Sequence, residues 1–107
     1  MKRGAICWVN LEPSTPPEFG KTRPALVISN SEQNAALSTV VVLPLSNQAP
    51  EIWPLRLKMA LPKGKSSFVV IPGIRQVNKS RLLEVMGHAS PELMTAVESA
   101  LDAYLKD

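Results

Sequence analysis

Apolar residues in this chain come in short runs broken by proline, glycine and polar clusters, and only near the C-terminus do they fall at helical spacing. Ala5 to Leu11 (AICWVNL), with Trp8 at its centre, reads as a first strand whose partial alternation sets one face on a core. Ala25 to Ile28 is too short for a helix and rich in β-branched residues, so it reads as a buried strand that runs on to Ser29. Thr39 to Ser46 (TVVVLPLS) is a third strand. Pro44 cannot donate a ladder hydrogen bond, which places that end at an edge or bulge. Leu55, Leu57 and Met59 alternate with Arg56 and Lys58, the pattern of a half-exposed strand with a basic outer face. Phe68 to Ile71 is another apolar run, ended by a tight turn or bulge at Pro72-Gly73; Ile74 and Val77 resume it, and Leu82 to Met86 makes a last strand. Asn30 to Ser38 is polar and reads as a loop with one helical turn. Ser90, Pro91 and Glu92 form a helix start, and Leu93, Val97, Ala100, Leu101, Tyr104 and Leu105 share one face. The spacing predicts a helix over 91–106 packed on the sheet. Five or six short strands and a terminal helix make a mainly β fold: a small, strongly bent sheet or barrel, in one domain over 1–107.

Composition narrows the function more than the fold. Residues 1–83 hold eleven Lys and Arg against four Asp and Glu, whereas residues 84–107 hold one Lys against five acids. A basic body with an acidic end suits a polyanionic partner. Five aromatic residues are too few for an extended base-stacking platform. The single cysteine, Cys7, lies in a strand and reads as a small core residue. One histidine and no CxxC or HExxH argue against a protein-ligated metal, and no cofactor is implied. No apolar run reaches membrane-spanning length and no signal-peptide core is present, which fits a reducing cytoplasm.

The candidate chemistry clusters in two places. Pro24 fixes its own φ and forces Arg23 to be extended, so Arg23 enters the sheet on rigid backbone, as an arginine that meets a phosphate should. The plain alternative is a rim arginine paired with a carboxylate such as Glu18. The long loop before it, Glu12 to Thr22, carries a carboxylate (Glu18), a stacking ring (Phe19) and a cation (Lys21); it is either a binding loop or a solvated connection. At the end of the third strand, Ser46, Asn47 and Gln48 present short polar groups, with turn capping as the ordinary role of Ser46. Arg75, Lys79 and Arg81 form a second basic segment, and His88 reads as a surface histidine before the helix cap.

Four pieces, KRGAICWVNLEP, GKTRPALVISN, TVVVLPLS and IRQVNKSRL, followed by a glycine and the capped helix, resemble the MazF/PemK toxins of bacterial toxin–antitoxin systems. The resemblance implies an SH3-like barrel with a C-terminal helix, of the MazF/PemK/CcdB kind, and a homodimer. It implies a metal-independent endoribonuclease cutting single-stranded mRNA at short sequences, blocked by a cognate antitoxin. It assigns catalysis to Arg23 and Ser46 and places Glu18, Phe19 and Lys21 beside the substrate. Glu18 is the available carboxylate for proton transfer, while Phe19, Lys21, Asn47, Gln48 and Arg75 suit RNA binding. Where the family often has an acidic residue and Gln before I-R, this chain has Pro72-Gly73, which leaves the general acid and base open. Two other functions stay in play: a non-catalytic toxin of this fold that inhibits a protein such as gyrase, and an RNA-binding module without chemistry.

Overall fold

The computed structural model describes residues 1–48 and 50–107. Among them seven strands run antiparallel to their neighbours: β1 (Ala5–Asn10), β2 (Thr22–Val27), β3 (Thr39–Ser46), β4 (Arg56–Ala60), β5 (Ser66–Val70), β6 (Arg75–Asn78) and β7 (Leu82–His88). The spatial order is β4-β5-β3-β2-β1-β7, with β6 beside β3. Two helices complete the fold, α1 (Ser31–Ala36) and α2 (Pro91–Leu105). This is the predicted mainly β architecture with a terminal helix, with seven strands in place of five or six, because the apolar run interrupted at Pro72-Gly73 forms two separate strands, β5 and β6, on different stretches of β3.

The sheet turns at β3. On one side β3 pairs with β2; on the other it pairs first with β6, over Thr39 to Val42, and then with β5 at Leu45 and Ser46. Leu43 and Pro44 fall in the gap between those two partners. Pro44 is therefore not on an edge strand. It sits mid-sheet at the hand-over, where that side of β3 has no ladder partner and a residue without an N–H is tolerated.

Alternation along the central strands builds two cores. Ile6, Leu26, Leu43 and Leu45 face α2, joined by Leu57, Met59, Val69 and Ile71 and by Met94, Val97 and Ala100 of the helix. Cys7, Val9, Ala25, Val27, Val40 and Val42 face the other way with Leu11 and Val77. Strands buried on both faces read as near-continuous apolar runs. Burial raises the Cys7 thiol above its ordinary pKa, which keeps it protonated and inert.

The two helices depart from expectation in detail. The stretch read as a loop with one turn is a six-residue helix, capped by Asn30, whose side chain accepts from the N–H groups of Glu32 and Gln33. Asn34 is buried and donates to the Met1 and Ser29 carbonyls, both at 3.0 Å. In α2, Ser90 accepts from Leu93 N at 3.1 Å, as expected of the cap. Its buried stripe is Met94, Val97 and Ala100, whereas Tyr104 and Leu105 are exposed. The packed face is rotated toward Met94, with Leu93 and Leu101 only partly buried at its edges. Arg3 ties this layer together, donating to the Ile28 carbonyl at 3.1 Å and pairing with Glu98 at 3.2 Å. Among the described residues no helix is long and apolar enough to cross a membrane.

Candidate active site

The β2–β3 register pairs Ala25 with Pro44 and Leu26 with Leu43. Continued two residues past its last pair, it sets Arg23 opposite Ser46. Arg23 itself pairs with Val9 of β1, and Ser46 with Phe68 of β5. On β3 the odd positions Leu43 and Leu45 face α2, so Pro44 and Ser46 face the opposite side; on β2 the same count puts Arg23 with Ala25 and Val27. The two residues singled out from distant parts of the sequence thus share one sheet face, at the point where β3 changes partners.

Arg23 is half-buried and held from two sides. Its Nε donates to the Gly20 carbonyl at 3.2 Å, and its guanidinium carbon lies 4.7 Å from the centre of the Phe19 ring. It makes no salt bridge among the described residues, where the ion pairs are Arg3–Glu98 and Lys106–Asp102. The alternative of a rim arginine paired with Glu18 is therefore not what the structure contains. A stacked guanidinium with its terminal nitrogens uncommitted is pre-ordered for an anion.

A cleft of about 590 Å³ opens between the loop joining β1 to β2 and the Ile71–Gly73 turn. Glu18, Phe19 and Arg75 line it, together with Pro13, Pro17, Val70, Pro72, Gly73 and Ile74. The loop is clamped at both ends. Glu12 Oε1 accepts from Lys21 N at 2.5 Å and from the Ser14 hydroxyl, and Glu18 Oε1 accepts from Thr15 N at 2.7 Å. A Cβ at Gly20 would collide with that Glu12 carboxylate and with Ser14. Arg75 donates to the Leu11 carbonyl at 3.2 Å, and Arg81 donates to the carbonyls of Asn10 and Glu12. Three successive carbonyls at the loop's root are thus fixed by two arginines. Arg75 had been read as an RNA contact; one arm of it is committed to the loop. Arg81 carries no sequence signal beyond its charge, so its clamping role appears only in three dimensions.

Of the remaining candidates, Asn47, Gln48 and Lys21 are exposed and, like Arg23 and Ser46, are not among the residues lining the cleft. Ser46 is only 8% exposed, and its hydroxyl accepts from Gln48 N at 3.1 Å. That is the turn-capping role, and it leaves the hydroxyl proton free to be donated elsewhere. Ser46→Ala removes one neutral hydrogen bond at the end of β3, worth about 0.5–1.5 kcal/mol, so the fold should be retained; far-ultraviolet circular dichroism and a thermal melt check it. His88 is exposed at the end of β7, away from the cleft.

At Gly73 the obstacle is a fixed ring rather than the end of a flexible side chain. A Cβ there would run into the Pro44 ring, lying 2.8 Å from Cδ and closer to Cγ, and would sit 3.4 Å from the Phe19 ring. The Pro72-Gly73 pair and Pro44 therefore fit each other: one side chain is missing where the other residue's ring fills the space.

Comparison with known proteins agrees with this fold. The model of the PemK-like, MazF-like toxin of type II toxin–antitoxin system matches residues 2–105. Endoribonuclease MazF of Staphylococcus epidermidis is 30% identical over 113 residues, covering 98% of this chain and 91% of that protein. Endoribonuclease EndoA of Bacillus subtilis (strain 168) is 28% identical over 109 residues, covering 98% and 94%. The crystal structure of MazF from Deinococcus radiodurans superposes with a TM-score of 0.86 at 25% identity, over 98% of this chain and 96% of that one. The strand order, the two-sided core and these whole-length matches place the chain in the family of PemK-like, MazF-like toxins of type II toxin–antitoxin systems.

Proposed function

We propose that this chain is a sequence-specific, metal-independent endoribonuclease toxin that cuts single-stranded mRNA and is neutralised by a cognate antitoxin. The observation that supports the reading is the placement of Arg23 and Ser46 on one sheet face, with the guanidinium stacked on Phe19 of the cleft wall and unpaired among the described residues. The names of the relatives, endoribonucleases both, support it. The chain works as one toxin domain over residues 1–107, as a homodimer in the cytoplasm.

The chemistry needs only RNA and protein groups. The 2′-oxygen attacks the adjacent phosphorus and loses its proton, the bond from phosphorus to the 5′-oxygen breaks, and that oxygen gains a proton. A 2′,3′-cyclic phosphate and a 5′-hydroxyl result. Arg23 offers two parallel N–H donors to the phosphoryl oxygens, whose charge grows in the transition state. Ser46 adds a hydroxyl donor to the same group. Glu18 is the carboxylate lining the cleft and takes the 2′-hydroxyl proton. Phe19 stacks a splayed base; Lys21, Asn47, Gln48 and Arg75 supply cations and edge hydrogen bonds around it.

The purified protein should cut a long unstructured RNA at a few sites, with undiminished rate in excess EDTA. The loss of an acidic residue at Pro72-Gly73 favours a second reading, inhibition of a protein target such as gyrase without RNA chemistry. Intact RNA together with blocked DNA supercoiling by gyrase would select that reading instead.

A further inference from the structure

The register that joins Arg23 to Ser46 does not stop there. Ser46 pairs with Phe68, and Phe68 pairs with Lys58 of β4; one row along, Val70 pairs with Arg56. Leu45, Val69 and Leu57 face α2, so Ser46, Phe68, Lys58, Val70 and Arg56 lie on the other face, the one that carries Arg23. One row of this face thus links the candidate active site, with Arg23 at one end, to Lys58 on the outer strand, where Arg56 lies two residues along. Two strand spacings, about 10 Å, separate β3 from β4, the reach of one to two nucleotides.

Trp53 lies in the turn that leads into β4, three residues before Arg56. At 56% exposure it is the most exposed aromatic side chain among the described residues. It is not on a loose loop. Ile52 N donates to the Arg56 carbonyl at 2.9 Å, and the Ile52 carbonyl accepts from Leu55 N and Arg56 N, both at 2.7 Å. The turn is bolted to the cleft wall, because Ile71 N donates to the Leu55 carbonyl at 2.9 Å immediately before Pro72-Gly73. Glu51 fixes the other side by accepting from Lys58 N at 2.9 Å. A hydrogen-bonded turn that holds an indole in solvent and leads directly into Arg56 and Lys58 has the two elements of a single-strand binding track: cations for phosphates and a flat ring for a base.

We infer that the outer face of β4 extends the RNA groove, with Arg56 and Lys58 taking phosphates and Trp53 stacking one nucleobase beyond the cleft. The inference rests on the ribonuclease reading and deepens it, since it fixes the length of RNA engaged and the side on which it leaves. A single ring suffices here, so the poverty of aromatic residues is no obstacle.

The test uses RNA carrying a 2′-O-methyl group at the cut site, which binds without being cleaved. Affinities are read by fluorescence anisotropy for a long oligonucleotide and for one shortened to the cleft. Trp53→Ala should weaken the long oligonucleotide about tenfold and leave the short one unchanged, while Trp53→Phe keeps most of the affinity. An abasic nucleotide at the stacked position should cost the native protein affinity and cost Trp53→Ala nothing. Arg56→Gln with Lys58→Gln should flatten the salt dependence for the long oligonucleotide alone. Equal binding of the long oligonucleotide by native protein and Trp53→Ala overturns the inference while leaving the ribonuclease reading intact. An unchanged RNA affinity with loss of the dimer in sedimentation assigns Trp53 to a protein contact and also overturns it. Failure of the native protein to bind or cut any RNA removes the ribonuclease reading and this inference together.

Discussion

Arg23→Ala is expected to lower RNA cleavage by roughly 10²–10³-fold, the usual loss when one pre-ordered donor to a developing oxyanion is removed. The side chain is the fixed cation of the site: Nε is bound to the Gly20 carbonyl, and the plane rests on Phe19. Alanine removes both the charge and the two-pronged donor. Arg23→Lys keeps a charge but loses the fork and the flat stacking surface, so it should fall between the two rather than rescue. Arg23 belongs to neither apolar core, so both variants should melt near the native temperature. Cleavage rates on a fluorescent chimeric oligonucleotide, beside thermal melts, separate lost chemistry from lost fold. Full cleavage by a folded Arg23→Ala protein would remove Arg23 from the mechanism.

Gly73→Gln is expected to destabilise the protein by about 1–3 kcal/mol and to disturb the cleft. For a domain of this size that corresponds to a fall in melting temperature of roughly 4–8 °C per kcal/mol. The cause is steric. The new Cβ meets the Pro44 ring, which is embedded in the central strand and cannot yield as a flexible side chain would. Pro44→Ala in the same molecule removes the ring atoms in the way, so the double variant should recover a large part of the loss. A double-mutant cycle with a coupling above about 0.5 kcal/mol is the expected signature of two positions in contact. Simple additivity would mean that Gly73 is tolerated for some other reason.

Much of this fold is legible from local pattern. β3 begins and ends at the predicted residues, and α2 begins at the predicted cap, because β-branched runs and the Ser-Pro-Glu start are strong local signals. The role of Pro44 was not legible, since a proline in a strand ordinarily marks an edge, and only the paired strands reveal a gap between two partners. The rotation of α2 toward Met94 was missed for a similar reason. Spacing fixes a stripe's existence, but the sheet beneath decides its centre. At the site, the neighbourhood of Pro24 foretold a rigid Arg23, yet its stacking on Phe19 depends on how an eleven-residue loop closes. The arginine clamp from Arg75 and Arg81 joins residues more than sixty positions apart and has no sequence signature. The relation of Arg56 and Lys58 to Arg23 emerges only when four strands are laid side by side.

The chemical identity of the new RNA ends tests the central claim most directly. After digestion in EDTA, the downstream fragment should carry a 5′-hydroxyl, resisting ligation until it is phosphorylated, and the upstream fragment should end in a cyclic phosphate. Fragments that ligate at once through a 5′-phosphate would mean that water, not the neighbouring ribose, attacked the phosphorus, and the arrangement of Arg23 and Ser46 described above would then be serving different chemistry.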